Sequence, residues 1–285
     1  MRKNNQEPMI TLKKIEAYSL YLQEQEKSMA TISKYAHDLA ALCDALPDGK
    51  LTKSALIGWK ESLTKQYAAA SVNTMLAAVN GFLTFCGWPE LKIKPLKIQR
   101  ELFCREEKEL NRAEYTRLVH AAMSEGNERL SLIIQTICAT GIRVSELQFI
   151  TAEAVRSGRA EVSSKGKRRT VFLPENLRRV LQKYLKKQKR NAGTVFITKG
   201  GRPLDRSNIW RDMKHLCESA DVAPGKVFPH NLRHLFARTY YTLEKDLSRL
   251  ADILGHSNIN TTRIYTMESG AVHEKQIARM GLVIT

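Results

Sequence analysis

The residues best suited to chemistry lie near the carboxyl end of the sequence: His230, Arg233, His256 and Tyr265. An arginine side chain can hold two non-bridging oxygens of a phosphodiester at once. A tyrosine hydroxyl group can attack phosphorus to form a covalent intermediate, and histidine can move protons near neutral pH. The four side chains together predict phosphoryl-transfer chemistry.

Local sequence signals predict helices that place these residues. Pro229 indicates a helix start, and the following His-x-x-Arg pair then shares one helical face. The apolar periodicity of residues 247–254 predicts a second, core-facing helix. Gly255 is a typical residue just after a helix end, and it leaves His256 at the turn.

Two further motifs stand upstream of this stretch. TGIRVSEL, residues 140–147, contains Arg143, and SKGK, residues 164–167, contains Lys165. Together with HNLRH and LGHSNINTTRIY, in this order, they resemble the motifs of the tyrosine recombinases, the lambda-integrase or Xer-like family. The resemblance covers residues from about 105 to 266 well, and the first hundred only in general pattern.

This resemblance implies DNA strand cleavage and rejoining without a metal or nucleotide cofactor. Tyr265 would attack the scissile phosphate, giving a 3′-phosphotyrosyl bond and a free 5′-hydroxyl group. His230 would act as general base, because an unperturbed phenol is almost entirely protonated at neutral pH. The adjacent His234, one position off the Arg233 face, would support this site. The sequence lacks the G-x-x-x-x-G-K-[ST] motif of P-loop nucleotide sites, and a covalent intermediate needs none.

The other implied roles are phosphate binding and proton donation. Arg143 and Arg233 would stabilise the charge that grows on the non-bridging oxygens, and Glu146 is placed to orient Arg143. Lys165 would protonate the leaving 5′ oxygen, and His256 would form a hydrogen bond to the phosphate. The predicted catalytic residues are Arg143, Lys165, His230, Arg233, His256 and Tyr265.

The composition favours an acidic partner. The 285-residue chain carries a formal net charge of +17, most of it in the second part of the sequence, and nucleic acid is the leading candidate. A merely basic protein without such a partner is the alternative.

Cysteine usage and hydropathy bear on location. The five cysteines are odd in number and show no C-x-x-C spacing, so neither a disulfide framework nor a zinc site is expected. No signal peptide and no apolar stretch of membrane-spanning length are visible. These observations predict a cytoplasmic protein, in a bacterial or archaeal cell, that binds no metal and no membrane.

The predicted fold is mainly α-helical, with a small β-sheet in the catalytic domain, and has the two-domain DNA-clamping architecture of the tyrosine recombinases. Residues 1–103 read as four helices that resemble the family's core-binding domain, followed by a linker over 92–109. Residues 104–285 would form the catalytic domain with a C-terminal tail, which docks either on its own chain or on a neighbour. Because the helices begin almost at the first residue, no separate arm-binding domain is expected.

Within the catalytic domain, residues 159–174 predict a β-hairpin with Lys165 at its tip, and residues 195–197 predict one more strand. Trp210 is expected in the core. Several polar or basic residues are candidates for DNA contact, although a solvated surface role fits each of those in the first domain equally well. These candidates are Thr31, Lys34, Ser71, Asn73, Lys167, Arg168, Arg169 and Arg202.

The resemblance also implies partners. The expected substrate is double-stranded DNA with inverted-repeat core sites, bound by a homotetramer on synapsed DNA that is a monomer when free. The task would be integration and excision of a mobile element or Xer-like resolution. Two other classes stay open: a DNA-binding protein that has lost strand exchange, and a topoisomerase-like enzyme that acts as a monomer. The complete set of catalytic residues argues against the first, and the separate helical domain and tail argue against the second.

Overall fold

The computed structural model describes residues 7–98, 106–164, 167–198, 200–266, 274 and 277–280. The chain divides into two compact units, Met1–Arg100 and Glu101–Thr285. Helices dominate both units, and the sheet found in the described residues consists of two antiparallel strands. The predicted mainly α-helical fold with a small β-sheet is therefore confirmed. None of the described helices is long and apolar enough to cross a membrane.

The first unit contains four helices. Three of them begin at a side-chain cap, because Thr11, Ser28 and Thr52 each accept a hydrogen bond from a backbone N–H of the first turn. Apolar side chains at helical spacing, such as Leu42 and Phe82, meet in one core. The helices are α1 Leu12–Glu24, α2 Met29–Ala45, α3 Lys53–Gln66 and α4 Ala69–Phe85.

Helix α4 also fixes the beginning of the predicted linker, residues 92–109. Asn73 donates to Leu96 O at 2.9 Å and accepts from Leu96 N at 2.7 Å. Asn80 makes the same pair of bonds with Ile93, at 2.8 and 2.9 Å. The extended segment 93–96 therefore belongs to the first unit. The predicted domain boundary near residue 104 lies outside the described residues.

The second unit contains the described part of the chain from residue 106 onward. Two of its 3₁₀ turns, Val144–Phe149 and Ile264–Thr266, carry site residues. The helices and strands are α5 Arg112–Ser124, α6 Glu128–Thr140, α7 Ala152–Ser157, β1 Arg159–Ser164, β2 Lys167–Phe172, α8 Glu175–Lys187, α9 Arg206–Ser219, α10 Pro229–Glu244, α11 Leu247–Leu254 and α12 Ile259–Arg263.

The junction after α6 approaches α10 closely. Helix α6 is buried along most of its length and ends at Gly141, whose φ of +64° is left-handed. Glycine adopts this conformation without the steric cost of a Cβ. A Cβ at this position would lie 2.5 Å from Cδ1 of Phe236, which is on α10. This close approach brings Arg143, two residues later, beside α10.

The predicted hairpin is present. Strands β1 and β2 pair from Arg159 opposite Phe172 to Ser164 opposite Lys167. Lys165, which the hairpin was predicted to carry at its tip, lies outside the described residues. Most of the C-terminal tail does so as well.

Two sequence expectations for this unit are wrong. Residues 195–197 do not form a strand, because Val195 N bonds to Ile150 O and Ile197 makes only an isolated bridge, with Pro203. Trp210 is not in the core, since its side chain is 50% exposed. It follows the buried Ile209 by one position and therefore points about 100° away from it around the helix.

Candidate active site

Four elements of the second unit bring together the predicted catalytic residues that the structure describes, which are all except Lys165. Arg143 precedes the 3₁₀ turn after α6, and Arg233 is in the second turn of α10. His256 follows the end of α11, and Tyr265 is in the 3₁₀ turn after α12. Strand β2 adds Arg169, which the sequence analysis placed on DNA.

Three consecutive carbonyl groups at the end of α11 each accept a hydrogen bond from a different arginine. The oxygen of residue 253 accepts from Arg169 Nη1 at 2.8 Å, and that of residue 254 from Arg233 Nη2 at 2.7 Å. The oxygen of Gly255 accepts from Arg143 Nη2 at 3.4 Å. The last carbonyls of a helix have no partner within it and carry its negative partial charge. The end of α11 therefore gathers three guanidinium groups from three separate elements.

Gly255 is required for this arrangement. Its φ of +65° ends α11 in the left-handed conformation. A Cβ would lie 2.5 Å from Arg169 Cδ. Any larger residue would therefore displace Arg169 as well as strain the turn.

Glu146 holds two of the arginines through its buried carboxylate. Its Oε1 accepts from Arg143 Nη1 at 2.9 Å, and its Oε2 accepts from Arg169 Nη2 at 2.6 Å and from Arg143 N at 2.9 Å. Burial alone would raise the pKa of Glu146, but the Arg143 N–H and the charges of Arg169 and Arg143 outweigh it and lower the pKa. Glu146 is thus charged at neutral pH and orients Arg143, as the sequence predicted.

Arg233 is a cation held almost without solvent, because it is only 1% exposed. It donates to the carbonyl groups of Gly141 and Leu254 and to Nε2 of His256. Burial first, and then the charge of Arg143, lowers the pKa of Arg233 to about 10, against an opposing interaction with the hydroxyl group of Tyr265. Carbonyl oxygens satisfy its N–H groups without neutralising its charge, so the charge is held ready for an anion.

The hydrogen bonds of His256 define its tautomer. Arginine can only donate, so Nε2 of His256 accepts from Arg233 at 3.0 Å. Nδ1 then carries the hydrogen and donates to the hydroxyl oxygen of buried Thr262 at 2.9 Å. Burial and the neighbouring arginines Arg233 and Arg143 lower the pKa of His256 to about 4, which keeps the ring neutral at pH 7. The ring stacks on Tyr265 with centroids 5.9 Å apart.

Tyr265 is nearly enclosed, at 5% exposure, and lies against two imidazole rings. Besides His256, the ring of His234 meets it edge to face, with centroids 4.6 Å apart. His234 also meets the ring of His230 at 4.6 Å. His230 is exposed at the surface, yet loss of solvation of its ring and then the electrostatic effects of His234 and Arg233 lower its pKa to about 4. A neutral imidazole is the form that can accept a proton.

Family comparison identifies the chain. Residues 108–270, more than half of the sequence, match the Phage integrase family, and residues 15–88 match the Phage integrase, N-terminal SAM-like domain. The chain belongs to the phage integrase family. The match spans every site residue described above, up to Tyr265.

Curated members of this family align with most of the chain. Tyrosine recombinase XerD of Xanthomonas campestris is 30% identical over 275 residues, which cover 86% of this chain and 84% of that protein. Tyrosine recombinase XerA of Pyrococcus furiosus is 26% identical over 280 residues, covering 94% of each. This phage integrase family member is a tyrosine-type site-specific recombinase.

Three solved structures with the same fold are complexes, with transposon end DNA, a Holliday junction and a difH substrate. The integrase of transposon Tn1549 with transposon right end DNA has a TM-score of 0.74 at 15% identity and covers 96% of this chain and all of that one (100%). A lambda integrase tetramer bound to a Holliday junction has a TM-score of 0.72 at 18% identity, with 92% and 78% covered. XerH bound to its difH substrate has a TM-score of 0.70 at 20% identity, with 94% and 84% covered.

The four residues of the first unit that were predicted to contact DNA differ in whether their polar groups already have a partner within the protein. Ser71 is exposed, and Thr31 shares a hydrogen bond with Ser28. Lys34 forms an ion pair at 2.6 Å with Asp38, and the amide of Asn73 is occupied by residue 96. For Asn73 the structure therefore suggests a role in fixing the linker, while DNA contact stays a prediction for all four.

The predicted contacts of the second unit differ as well. Arg168 and Arg202 are exposed. Arg169 is already bound to Glu146 and to the end of α11, so its position favours a structural role in the site over contact with a DNA phosphate. Of Lys167 the structure describes the backbone alone. Each of these DNA contacts stays a prediction.

Two residues of the site were not predicted in these roles: Glu109, which lies 3.5 Å from His234, and Arg169, which binds Glu146 and the end of α11. No sequence signal relates Glu109 to a histidine 125 positions away. In the described residues, no group of three or more histidine, cysteine or acidic side chains is arranged to hold a metal ion.

Proposed function

We propose that this recombinase cleaves a DNA strand with Tyr265 as nucleophile, forming a 3′-phosphotyrosyl bond and releasing a 5′-hydroxyl group. The observation that carries the proposal is the cluster around Tyr265, where a buried arginine and two histidine rings contact one tyrosine. A 5′-hydroxyl group from another strand reverses the step, because the covalent bond conserves the energy of the phosphodiester.

Arg143 and Arg233 bind the non-bridging oxygens in this mechanism. Three guanidinium groups meet at the end of α11, and the carboxylate of Glu146 pairs with two of them, so positive charge is in excess there before DNA arrives. Arg143 is 37% exposed in its side chain and can reach a phosphate directly. The geometry supports stabilisation of the transition-state charge by fixed cations, which cost little reorganisation at the moment of reaction.

His230 is the proposed general base and Lys165 the proposed general acid. A lowered pKa keeps His230 able to accept the phenolic proton at neutral pH. Lys165 protonates the 5′ oxygen as it leaves. In the free protein, Nε2 of His256 accepts from Arg233, so a hydrogen bond from Nε2 to the phosphate requires a hydrogen on Nε2, through protonation of the ring or a change of tautomer, and a new partner for Arg233.

The proposed substrate is double-stranded DNA with inverted-repeat core sites, bound by residues 1–103 as core-binding domain and 104–285 as catalytic domain. The net charge of +17 supports a polyanionic partner. An open groove beside His230 supports DNA contact too, since Arg206, Trp210 and Arg211 line it. We expect a monomer in solution and a homotetramer on synapsed DNA, and the lambda integrase tetramer bound to a Holliday junction supports the tetramer. The task is integration and excision of a mobile element or Xer-like resolution, carried out in the cytoplasm.

The central test uses a nicked suicide duplex, with the site taken from DNA flanking the coding region. Wild type, incubated without added metal, is expected to give a protein–DNA band that survives SDS. Tyr265→Phe removes only the hydroxyl group, so it should bind the duplex with unchanged affinity and give no such band. The matched control is Tyr241→Phe, on α10 in the same small core, which should retain the band.

Two results would contradict the proposal. A covalent band in Tyr265→Phe would show that another residue is the nucleophile. Specific binding without a covalent band in wild type would favour a DNA-binding protein that has lost strand exchange.

Lys165→Ala is expected to slow cleavage about 100-fold or more, the typical contribution of a general acid. A duplex with sulfur at the 5′ bridging position should restore most of the rate, because a thiolate leaves without protonation. The control is Lys167→Ala, which should weaken binding and leave the rate at saturating protein unchanged. A rate that stays low with the sulfur-containing duplex would assign Lys165 another role.

A further inference from the structure

His234 contacts both partners of the proposed proton transfer. Its ring meets His230 and Tyr265 edge to face, at interplanar angles of 73° and 89° and centroid distances of 4.6 Å in each case. His230 and His234 are four positions apart on α10, so they share one face of the helix. A rotation of the His234 ring would therefore disturb the general base and the nucleophile together.

Glu109 is the group that faces the far side of this ring. Its Oε1 lies 3.5 Å from Nδ1 of His234, and its Oε2 lies 3.5 Å from Nη1 of Arg238. The two side chains of the Glu109–His234 pair are 19% and 17% exposed. Contact with His234 is the largest cause that lowers the pKa of Glu109, and Oε2 is buried without a hydrogen bond. The carboxylate is thus charged, and these two residues of α10 are its ionic partners among the described residues.

The segment that carries Glu109 is attached to the same face of α10. Asn231 donates to Lys108 O at 3.0 Å and to Lys226 O at 2.8 Å. Asn231, His234 and Arg238 occupy positions i, i+3 and i+7, which form one face of a helix. Residues 108–109 therefore contact α10 at three successive turns. These contacts fix the position of Glu109 along the axis of α10, beside His234.

We propose that Glu109 is a positioning residue for strand cleavage, which fixes the His234 ring and, through it, the relative placement of His230 and Tyr265. A carboxylate next to Nδ1 keeps the hydrogen on that nitrogen and sets the orientation of the ring. The inference rests on the proposed function, since it assigns His230 and Tyr265 the roles given above. The charge of Glu109 acts on the base as well, because it raises the pKa of His230 against the cations that lower it.

The test is a double-mutant cycle on the suicide duplex at saturating protein. Glu109→Gln keeps the shape of the side chain but removes its charge, and His234→Asn removes the ring. Each is expected to slow covalent-complex formation about tenfold or more, because misplacement of reacting groups is costly. The double variant should be no slower than His234→Asn alone, since Glu109 acts through that ring. Affinity for DNA should remain within about twofold, because neither residue is assigned to a phosphate.

The matched control is Glu107→Gln, an exposed carboxylate two positions earlier, which should leave the rate unchanged. Glu109→Asp, which keeps the charge, should recover part of the rate. Additive effects of the two single variants, or no effect of Glu109→Gln, would overturn the proposal. A fall in DNA affinity that accounts for the whole loss would overturn it too.

A second readout does not depend on cleavage. Nitrogen-15 spectra of histidine-labelled protein should show one tautomer of His234, with the hydrogen on Nδ1, and a mixture in Glu109→Gln. The signal is assigned by its loss in His234→Asn, among the 7 histidines of the chain. If Glu109→Gln changes the tautomer of His234 as expected but wild-type protein forms no covalent complex, the proposed function is rejected and the contact between Glu109 and His234 is retained. An unchanged tautomer with active wild type would reject the positioning role alone.

Discussion

Arg233→Met is expected to reduce strand cleavage by a factor of about 1,000 while the free energy of unfolding changes by less than about 2 kcal/mol. The loss of activity follows from removing one of two cations that hold the transition-state charge. The small change in stability follows from two opposing effects. Two carbonyl groups, of Gly141 and Leu254, lose their donors, at about 1–3 kcal/mol each.

The opposing effect is the removal of a buried charge. A pKa lowered from the ordinary arginine value to about 10 means that the charged form costs the folded state about 3 kcal/mol, since one pKa unit corresponds to about 1.4 kcal/mol. Because the folded pKa lies below the unfolded one, this cost is fully present below about pH 10 and disappears only above the ordinary pKa of arginine. At pH 7, removal of the buried charge in Arg233→Met therefore stabilises the fold by roughly as much as the loss of the hydrogen bonds destabilises it.

Urea unfolding and suicide-substrate cleavage measure the two quantities separately. Arg249→Met, at an exposed ion pair on α11, is the control for replacing an arginine by methionine and should alter neither. A decrease in unfolding free energy well beyond 3 kcal/mol, with cleavage lost only through unfolding, would make Arg233 a structural arginine.

Glu146→Gln is expected to lose both stability and activity. The substitution leaves Arg143 and Arg169 without the carboxylate that pairs with them, and breaking one side of a buried ion pair costs about 3–5 kcal/mol. Because Arg143 is partly exposed, solvent compensates for some of this loss, and we expect about 2–4 kcal/mol. Cleavage should fall at least about tenfold, since Arg143 loses its orientation.

The pH dependence of stability distinguishes this explanation from a loss of packing. The pKa of Glu146 is lowered in the folded protein, so its contribution is present above the ordinary carboxyl pKa and is lost as pH falls through the lower folded value. The difference in unfolding free energy between wild type and Glu146→Gln should therefore narrow in acid. Glu218→Gln, at an exposed site on α9, is the control. A difference that stays constant from neutral pH into acid would show that the ion pairs contribute little.

The two variants separate two uses of buried charge in one site. Glu146 stabilises the fold by pairing with cations, whereas Arg233 is held by neutral oxygens at a cost to the fold. The destabilising effect of the buried Arg233 charge is consistent with a cation whose counter-ion is a DNA phosphate, present only in the complex. Active sites commonly retain groups that stability alone would not favour.

Local patterns predicted a large part of this structure. Pro229 and the apolar periodicity of residues 247–254 predicted the start of α10 and the position of α11. Gly255 was identifiable because it follows an apolar helix. The motif residues lie together around Tyr265, apart from Lys165, which is outside the described residues.

The sequence did not predict contacts that join distant segments through backbone atoms or single ion pairs. Nothing in a one-dimensional pattern shows that the carbonyl group of Ile253 bonds to Arg169, or that Glu109 faces His234. Arg169 was read as one of a basic group on the hairpin because its neighbours Lys167 and Arg168 are basic too. Trp210 was placed in the core on hydrophobicity, although its position relative to Ile209 turns it outward.

The row of carbonyl groups at the end of α11 constrains this short helix in an unusual way. Its acceptors are peptide oxygens, which every amino acid supplies, so the outward side chains of α11 can change without altering the arginine contacts. An insertion or deletion is different, because one residue rotates the helix end by about 100° and shifts it by about 1.5 Å. All three oxygens would then move away from Arg143, Arg169 and Arg233 at once. The spacing between Asp246, which caps α11, and Gly255, which ends it, thus matters more to this site than the identity of most residues between them.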